Sequence, residues 1–121
     1  MEKLKSDLSP NMALAGALYK CAAFLGVAQA ELAMMLKVSP SAMSKSFRNG
    51  IDPNKLQGRY SLMIIRVYRS LYVLFGGNKE LMVKWIRGRL ILFDKSPIDM
   101  MHDETDIVYL NEYLDSMKTK I

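Results

Sequence analysis

Cysteine is almost absent from this chain. The single Cys21 has no partner for a disulfide, and its apolar neighbours point to a small buried side chain rather than a nucleophile or ligand. Histidine is as scarce: His102 sits in Met-Met-His-Asp-Glu without a second residue at metal-ligand spacing, so a solvated or helix-end histidine is expected and no metal. No glycine loop carries the Gly-Lys-Ser/Thr ending that cradles phosphates; Gly-Gly-Asn-Lys-Glu at 76–80 stops short of it. No Ser/His/Asp order stands out. These absences argue against an enzyme and against a cofactor. No apolar run reaches the ~18–20 residues of a membrane span. The opening MEKLKSDLSP lacks the apolar centre of a signal peptide, so a cytoplasmic protein away from membranes is expected. Sustained period-2 alternation and hairpin turn dipeptides are also missing, which removes a β fold.

What is present is enough for a core. The chain has 121 residues, half of them apolar, fitting one compact domain or two small helical lobes sharing a core. Ten methionines at helical apolar positions suit core filling, with an adaptable binding surface as the sharper alternative. The net charge of +5 is uneven. Residues 1–60 carry eight Lys/Arg against four Asp/Glu, whereas residues 96–117 carry six acids and no Lys or Arg. A basic front half suits an anionic partner such as DNA, and an acidic end suits a basic protein surface; solvated helix faces account for the same pattern.

Helical signals recur along the chain. Ser9 or Asn11 caps a helix through Phe24, ended by Gly26. Residues 29–36 place Leu32, Ala33 and Leu36 at helical spacing. Ser39-Pro40 is a cap followed by proline at the first helical position, opening a helix to about Arg48 that Asn49-Gly50 stops. Asp52-Pro53 repeats that start signal. A long helix from Leu56 to Phe75 carries Leu62, Ile65, Leu71, Tyr72 and Phe75. Another runs from about Lys79 to Arg87 and closes at Gly88. Ser96-Pro97 opens a short helix. The last helix, from Asp106, aligns Ile107, Leu110, Leu114 and Met117 on one stripe. An all-α fold is expected, with its join between lobes at residues 50–59.

Residues 26–50, GVAQAELAMMLKVSPSAMSKSFRNG, resemble an Xre-type helix-turn-helix. Ala33 supplies the small residue where the two helices touch. Leu32, Leu36, Val38 and Met43 supply the seam. In such a motif the second helix enters the major groove and presents Ser41, Ala42, Ser44, Lys45 and Arg48 outward, so Ser41, Ala42 and Lys45 are expected toward bases, and Gln29, Lys37 and Arg48 near phosphates. Lys37 stands where the motif usually has glycine, so a left-handed backbone there is strained. Without DNA contact, the same motif serves as a structural or dimerising lobe.

Residues 71–101 read LYVLFGGNKELMVKWIRGRLILFDKSPIDMM. A helix ending in Leu-Phe-Gly-Gly, a Trp-Ile pair at 85–86 and Ser-Pro-Ile-Asp-Met-Met resemble the toxin-binding domain of Xre/MbcA/ParS antitoxins, over roughly residues 60–117. The resemblance implies an Xre-like helix-turn-helix domain at 1–55 packed with a helical toxin-binding domain at 56–121. It implies an antitoxin of a type II toxin–antitoxin system that neutralises a RES-domain, NAD-degrading toxin by covering its active site. It further implies a homodimer that binds operator DNA and represses its own operon. The expected toxin-facing residues are Trp85, Leu90, Phe93, Tyr109, Glu112, Tyr113, Asp115, Lys118 and Ile121. Trp85 is weighed against plain core packing, the favoured reading. Family members often have Asn five residues after the tryptophan; here Leu90 opens an apolar Leu-Ile-Leu loop, expected to be buried or to mark an altered partner contact. The alternatives are a stand-alone helix-turn-helix regulator whose C-terminal lobe dimerises or senses a ligand, and a helical adaptor without DNA contact.

Overall fold

The computed structural model describes residues 9–120, and they form an all-α protein. Seven helices follow in order: α1 Pro10–Leu25, α2 Gln29–Leu36, α3 Pro40–Asn49, α4 Leu56–Leu74, α5 Lys79–Arg87, α6 Pro97–Met100 and α7 Glu104–Lys118. Local chemistry sets most of their ends. Ser9, Ser39, Asn78 and Ser96 each accept a backbone N–H three residues on, satisfying an otherwise orphaned donor at a helix start. Proline occupies the first position of α1, α3 and α6. Asp103 caps α7 by accepting from the N–H groups of Thr105 and Asp106, so this helix begins two residues before the expected Asp106.

Asp52-Pro53 corrects the expectation of a helix start. Asp52 accepts from the Asn54 and Lys55 N–H groups, and the segment closes into a turn before α4 begins at Leu56. The turn packs onto Gly58. A Cβ there would sit 1.9 Å from the Asp52 carbonyl oxygen, so only glycine fits. At the other end of α4, Gly76 and Gly77 take φ of 60° and 75°, reversing the chain into α5. The Tyr72 ring lies where a side chain on Gly77 would go.

One apolar core runs through both halves. It joins Leu18, Leu25, Leu32, Met35 and Met43 from the first three helices to Ile64, Leu71, Met82, Ile86, Met101, Ile107, Leu110 and Leu114. α4 is the central element, packed against α1 on one side and most extensively against α7 on another. Its buried positions are Gly58, Tyr60, Ser61, Ile64, Ile65, Val67, Ser70 and Leu71. Leu62 and Tyr72, expected in the core stripe, are exposed. On α7, Ile107, Leu110 and Leu114 are buried, but Met117 is 38% exposed at the end of the stripe. Five of the methionines (Met35, Met43, Met82, Met100, Met101) fill the core, as volume fillers should, whereas Met34 lies on the surface.

Polar ties also cross between the halves. Glu31 on α2 meets Arg87 of α5 at 3.3 Å and His102 Nε2 at 3.4 Å. Arg87 also donates to the Gly26 carbonyl, and Lys37 Nζ to the His102 carbonyl. His102 is therefore half-buried beside a carboxylate rather than free in solvent. Tyr60 donates its hydroxyl to the Met101 carbonyl. Burial and the carboxylates of Asp103, Glu104 and Asp106 push that phenol up to about 12.

Candidate functional site

Two surfaces carry the residues singled out in the sequence. The first is formed by α2 and α3. Leu32, Ala33, Leu36 and Met43 are buried where the two helices meet, with half-buried Val38 in the connecting turn. Lys37 does adopt the left-handed backbone, φ 58°, as the C-cap of α2. Its ammonium turns toward the C-terminal half. Gln29 Nε2 donates to Ser44 Oγ at 2.8 Å, tying the start of α2 to the middle of α3. Gln57 of α4 donates to Ser46 Oγ, and the Phe47 ring meets Tyr19 of α1 edge-on at 5.3 Å. These contacts hold α3 from both flanks. Its outward face presents Ser41, Lys45 and Arg48 to solvent, with Ala42 and Ser44 half-buried. Neither Lys45 nor Arg48 is in an ion pair among the described residues.

The second surface joins the loop after α5 to α7. Leu90 and Lys95 pair as an isolated antiparallel bridge, with Leu90 N–H on the Lys95 carbonyl at 2.8 Å. The N–H groups of Phe93 and Asp94 turn back to the Leu90 carbonyl. Asp94 takes φ 59° and pairs with Arg89. The loop is thus a small closed hairpin. Its tip carries Ile91, 95% exposed, and Leu92, 72% exposed. The expectation of a buried loop is overturned: four residues of connection hydrogen-bond to themselves, leaving no route for the tip to reach the core. Only the base is partly covered, through half-buried Leu90 and Phe93.

The hairpin is braced against α7. The Phe93 ring meets Tyr113 at 5.7 Å, nearly perpendicular, and Lys95 donates to Asp106 at 2.6 Å. That hydrogen bond, with the charges of Asp106, Asp103 and Asp99 nearby, raises the Lys95 ammonium above its ordinary value. Tyr109 and Glu112 are exposed on the same helix. Asp115 is not free: it is held by Arg66 of α4 and by Lys118 at 3.3 Å. Burial raises its carboxyl, and the hydrogen bonds and charges of Arg66 and Lys118 more than offset this, leaving it below the ordinary carboxylate range. Asp115 therefore ties α7 to α4 through Arg66, while half-buried Lys118 pairs with it within α7. Ile121 lies outside the described residues.

Trp85 is half-buried on α5, tilted against Phe75 at 6.1 Å between ring centres. Its neighbour Ile86 takes the fully buried place. Arg66 and Arg87 are paired with acids, Asp115 and Glu31. Cys21 is buried, and burial pushes its thiol up to about 11, so it is a packing residue. Sequence reasoning sets Leu90 and Phe93 in the toxin-facing set but omits Ile91 and Leu92. The available signal is four consecutive apolar residues, Leu90 to Phe93, between Gly88-Arg89 and Asp94-Lys95, a run too short and too polar at its flanks for a helix or a core strand.

Among the described residues, no helix is long and apolar enough to cross a membrane. No group of three or more His, Cys, Asp and Glu among them could hold a metal ion. With this geometry in place, one comparison is informative. Residues 70–120 match the family model of the antitoxin Xre/MbcA/ParS C-terminal toxin-binding domain. The matched stretch takes in the end of α4, the double-glycine turn, α5, the hairpin, α6 and α7. Over this stretch the chain is similar to the toxin-binding part of an antitoxin, and the match points to a toxin–antitoxin pair. No curated protein matches the chain.

Proposed function

We propose that this chain is the antitoxin of a type II toxin–antitoxin system, a cytoplasmic binding protein rather than an enzyme. Its C-terminal half, residues 56–121, binds a RES-domain, NAD-degrading toxin and covers the toxin's active site. Its N-terminal half, residues 1–55, binds operator DNA as a homodimer and represses transcription of its own operon. The observation that carries the first part is the match of residues 70–120 to a toxin-binding antitoxin domain. The acidic outer face of α7 supports it, because a site that binds an anionic dinucleotide is basic. Tyr109, Glu112 and Tyr113 contact the toxin directly, beside Leu90 and Phe93.

Two features support the DNA half. The apolar seam between α2 and α3 is compatible with a helix-turn-helix, and Lys45 and Arg48 are in no ion pair among the described residues on the outer face of α3. Gln29 borders that face through its bond to Ser44, whereas the Lys37 ammonium is held by the His102 carbonyl and leaves the phosphates to Lys45 and Arg48. The basic balance of residues 1–60 favours an anionic partner. The test is co-expression with a RES-domain protein encoded beside this gene, followed by affinity purification and gel filtration. A stoichiometric complex is expected. Separate elution of two folded proteins would remove the toxin and leave the alternative, a stand-alone regulator acting through α3.

A further inference from the structure

Ile91 and Leu92 are the most exposed large apolar side chains of the described residues, and they are adjacent at the tip of a hairpin. Apolar surface held in water is unfavourable in proportion to its area, and soluble proteins rarely order it without a use. Here it is ordered. The neck is closed by the Leu90–Lys95 bridge and by the Arg89–Asp94 ion pair. The base is pinned to α7 by Phe93 on Tyr113 and by Lys95 on Asp106. A tip fixed in advance loses little conformational freedom when it docks, so its burial converts efficiently into affinity.

The surroundings define what it docks into. Residues 89–113 hold two cations, Arg89 and Lys95, against six acids, a local net charge of −4 in a chain of +5. Both cations are already paired with acids. Asp99, Asp103, Glu104 and Glu112 remain exposed around the apolar tip and the α7 face. The whole patch lies within the residues that match a toxin-binding domain. We infer that Ile91 and Leu92 are the anchor by which this protein grips its toxin, entering an apolar socket with a basic rim on the toxin surface. This rests on the antitoxin reading above. The tip supplies the desolvated centre of the interface, and the acids around it supply steering and a polar rim.

The test uses the full chain and the RES-domain toxin that the antitoxin reading assigns to it. Ile91→Ser with Leu92→Ser removes the anchor at two exposed positions, so the melting temperature of the free variant stays that of the wild type. Affinity for the toxin, by calorimetry or biolayer interferometry, falls about 100-fold, as expected for paired hot-spot residues. Ile91→Val with Leu92→Ile retains most of it. Wild-type association slows as salt rises. A change within about threefold for the double Ser variant would overturn the anchor while leaving the antitoxin reading intact. Failure of the wild-type chain itself to bind would overturn both. Light scattering that shows a wild-type dimer and a monomeric Ser variant would instead assign the tip to a second copy. Wild-type pelleting with phosphatidylglycerol vesicles, abolished in the variant, would assign it to a lipid surface.

Discussion

Ile86 is fully buried, whereas Trp85, one residue earlier, is half-exposed against Phe75. The Trp-Ile pair is legible in the sequence as a fold signature, but not which member fills the core. Both sit on a short helix, and the helix's rotation against α1 decides the matter. Ile86→Ala is therefore expected to cost about 2–5 kcal/mol. Trp85→Ala, with less buried surface to remove, should cost less, about 1–2 kcal/mol. Urea denaturation of the two variants checks the order, and the reverse order would make Trp85 the core residue. Lys37 poses a different question. Its left-handed backbone disfavours any side chain with a Cβ. Lys37→Gly should raise stability by up to about 1 kcal/mol, read as a higher melting temperature. A fall of several degrees would mean that the Lys37 bond to the His102 carbonyl outweighs the strain.

At the scale of elements, the helix starts at Ser9, Ser39 and Ser96 are readable because capping is local: a hydroxyl, a proline and three residues decide it. Asp52-Pro53 carries the same kind of cap-and-proline signal but makes a turn, and its own backbone lies against Gly58. That packing is long-range in consequence and silent in sequence. Gly58→Ala should destabilise the protein by about 3 kcal/mol, because the clash is with backbone and cannot be relieved by a rotamer change; thermal melting gives the answer. The buried face of α4 departs from the expected stripe at Leu62 and Tyr72 because α4 is covered by different partners along its length. The end of α7 allows a functional prediction. Deleting residues 116–121 removes exposed Met117 and half-buried Lys118 while leaving Arg66–Asp115 in place. On the proposal that the tail from residue 118 onward enters the toxin's active-site cleft beside the contacts of α7 and the hairpin, the truncated protein should keep its helical circular dichroism and its DNA binding but no longer protect against the toxin. Full protection would assign inhibition to the hairpin alone. On α3, Lys45→Ala with Arg48→Ala should weaken binding to promoter DNA and reduce the log–log salt slope by about one for each phosphate no longer neutralised. Gel shifts at two salt concentrations measure it.

At the scale of the molecule, the all-α class and the order of helices are legible in the sequence, and a core shared between the halves is compatible with it. The polar ties of Glu31 to Arg87 and His102 are not legible, because they join residues far apart in sequence. Charge also shapes the pH response. Backbone N–H donation from Asp106 and then Thr105, against some burial, lowers the Asp103 carboxyl, and Arg66 holds Asp115 low. Groups with lowered pKa contribute stability above their unfolded values, and that contribution is lost as pH falls through the folded ones. Tyr60 is raised to about 12, so its contribution is complete below the ordinary phenol range and is lost as pH climbs from there through about 12. Stability should therefore be flat between these limits, with loosening of α7 on the acid side, measurable by melting curves across pH.

The central claim is that this chain neutralises an NAD-degrading toxin. The most direct measurement is cellular NAD after induction of a RES-domain toxin, with and without this chain co-expressed. Neutralisation predicts that NAD collapses with the toxin alone and stays at the uninduced level with both. An equal collapse in both cultures, with both proteins present and folded, would contradict it.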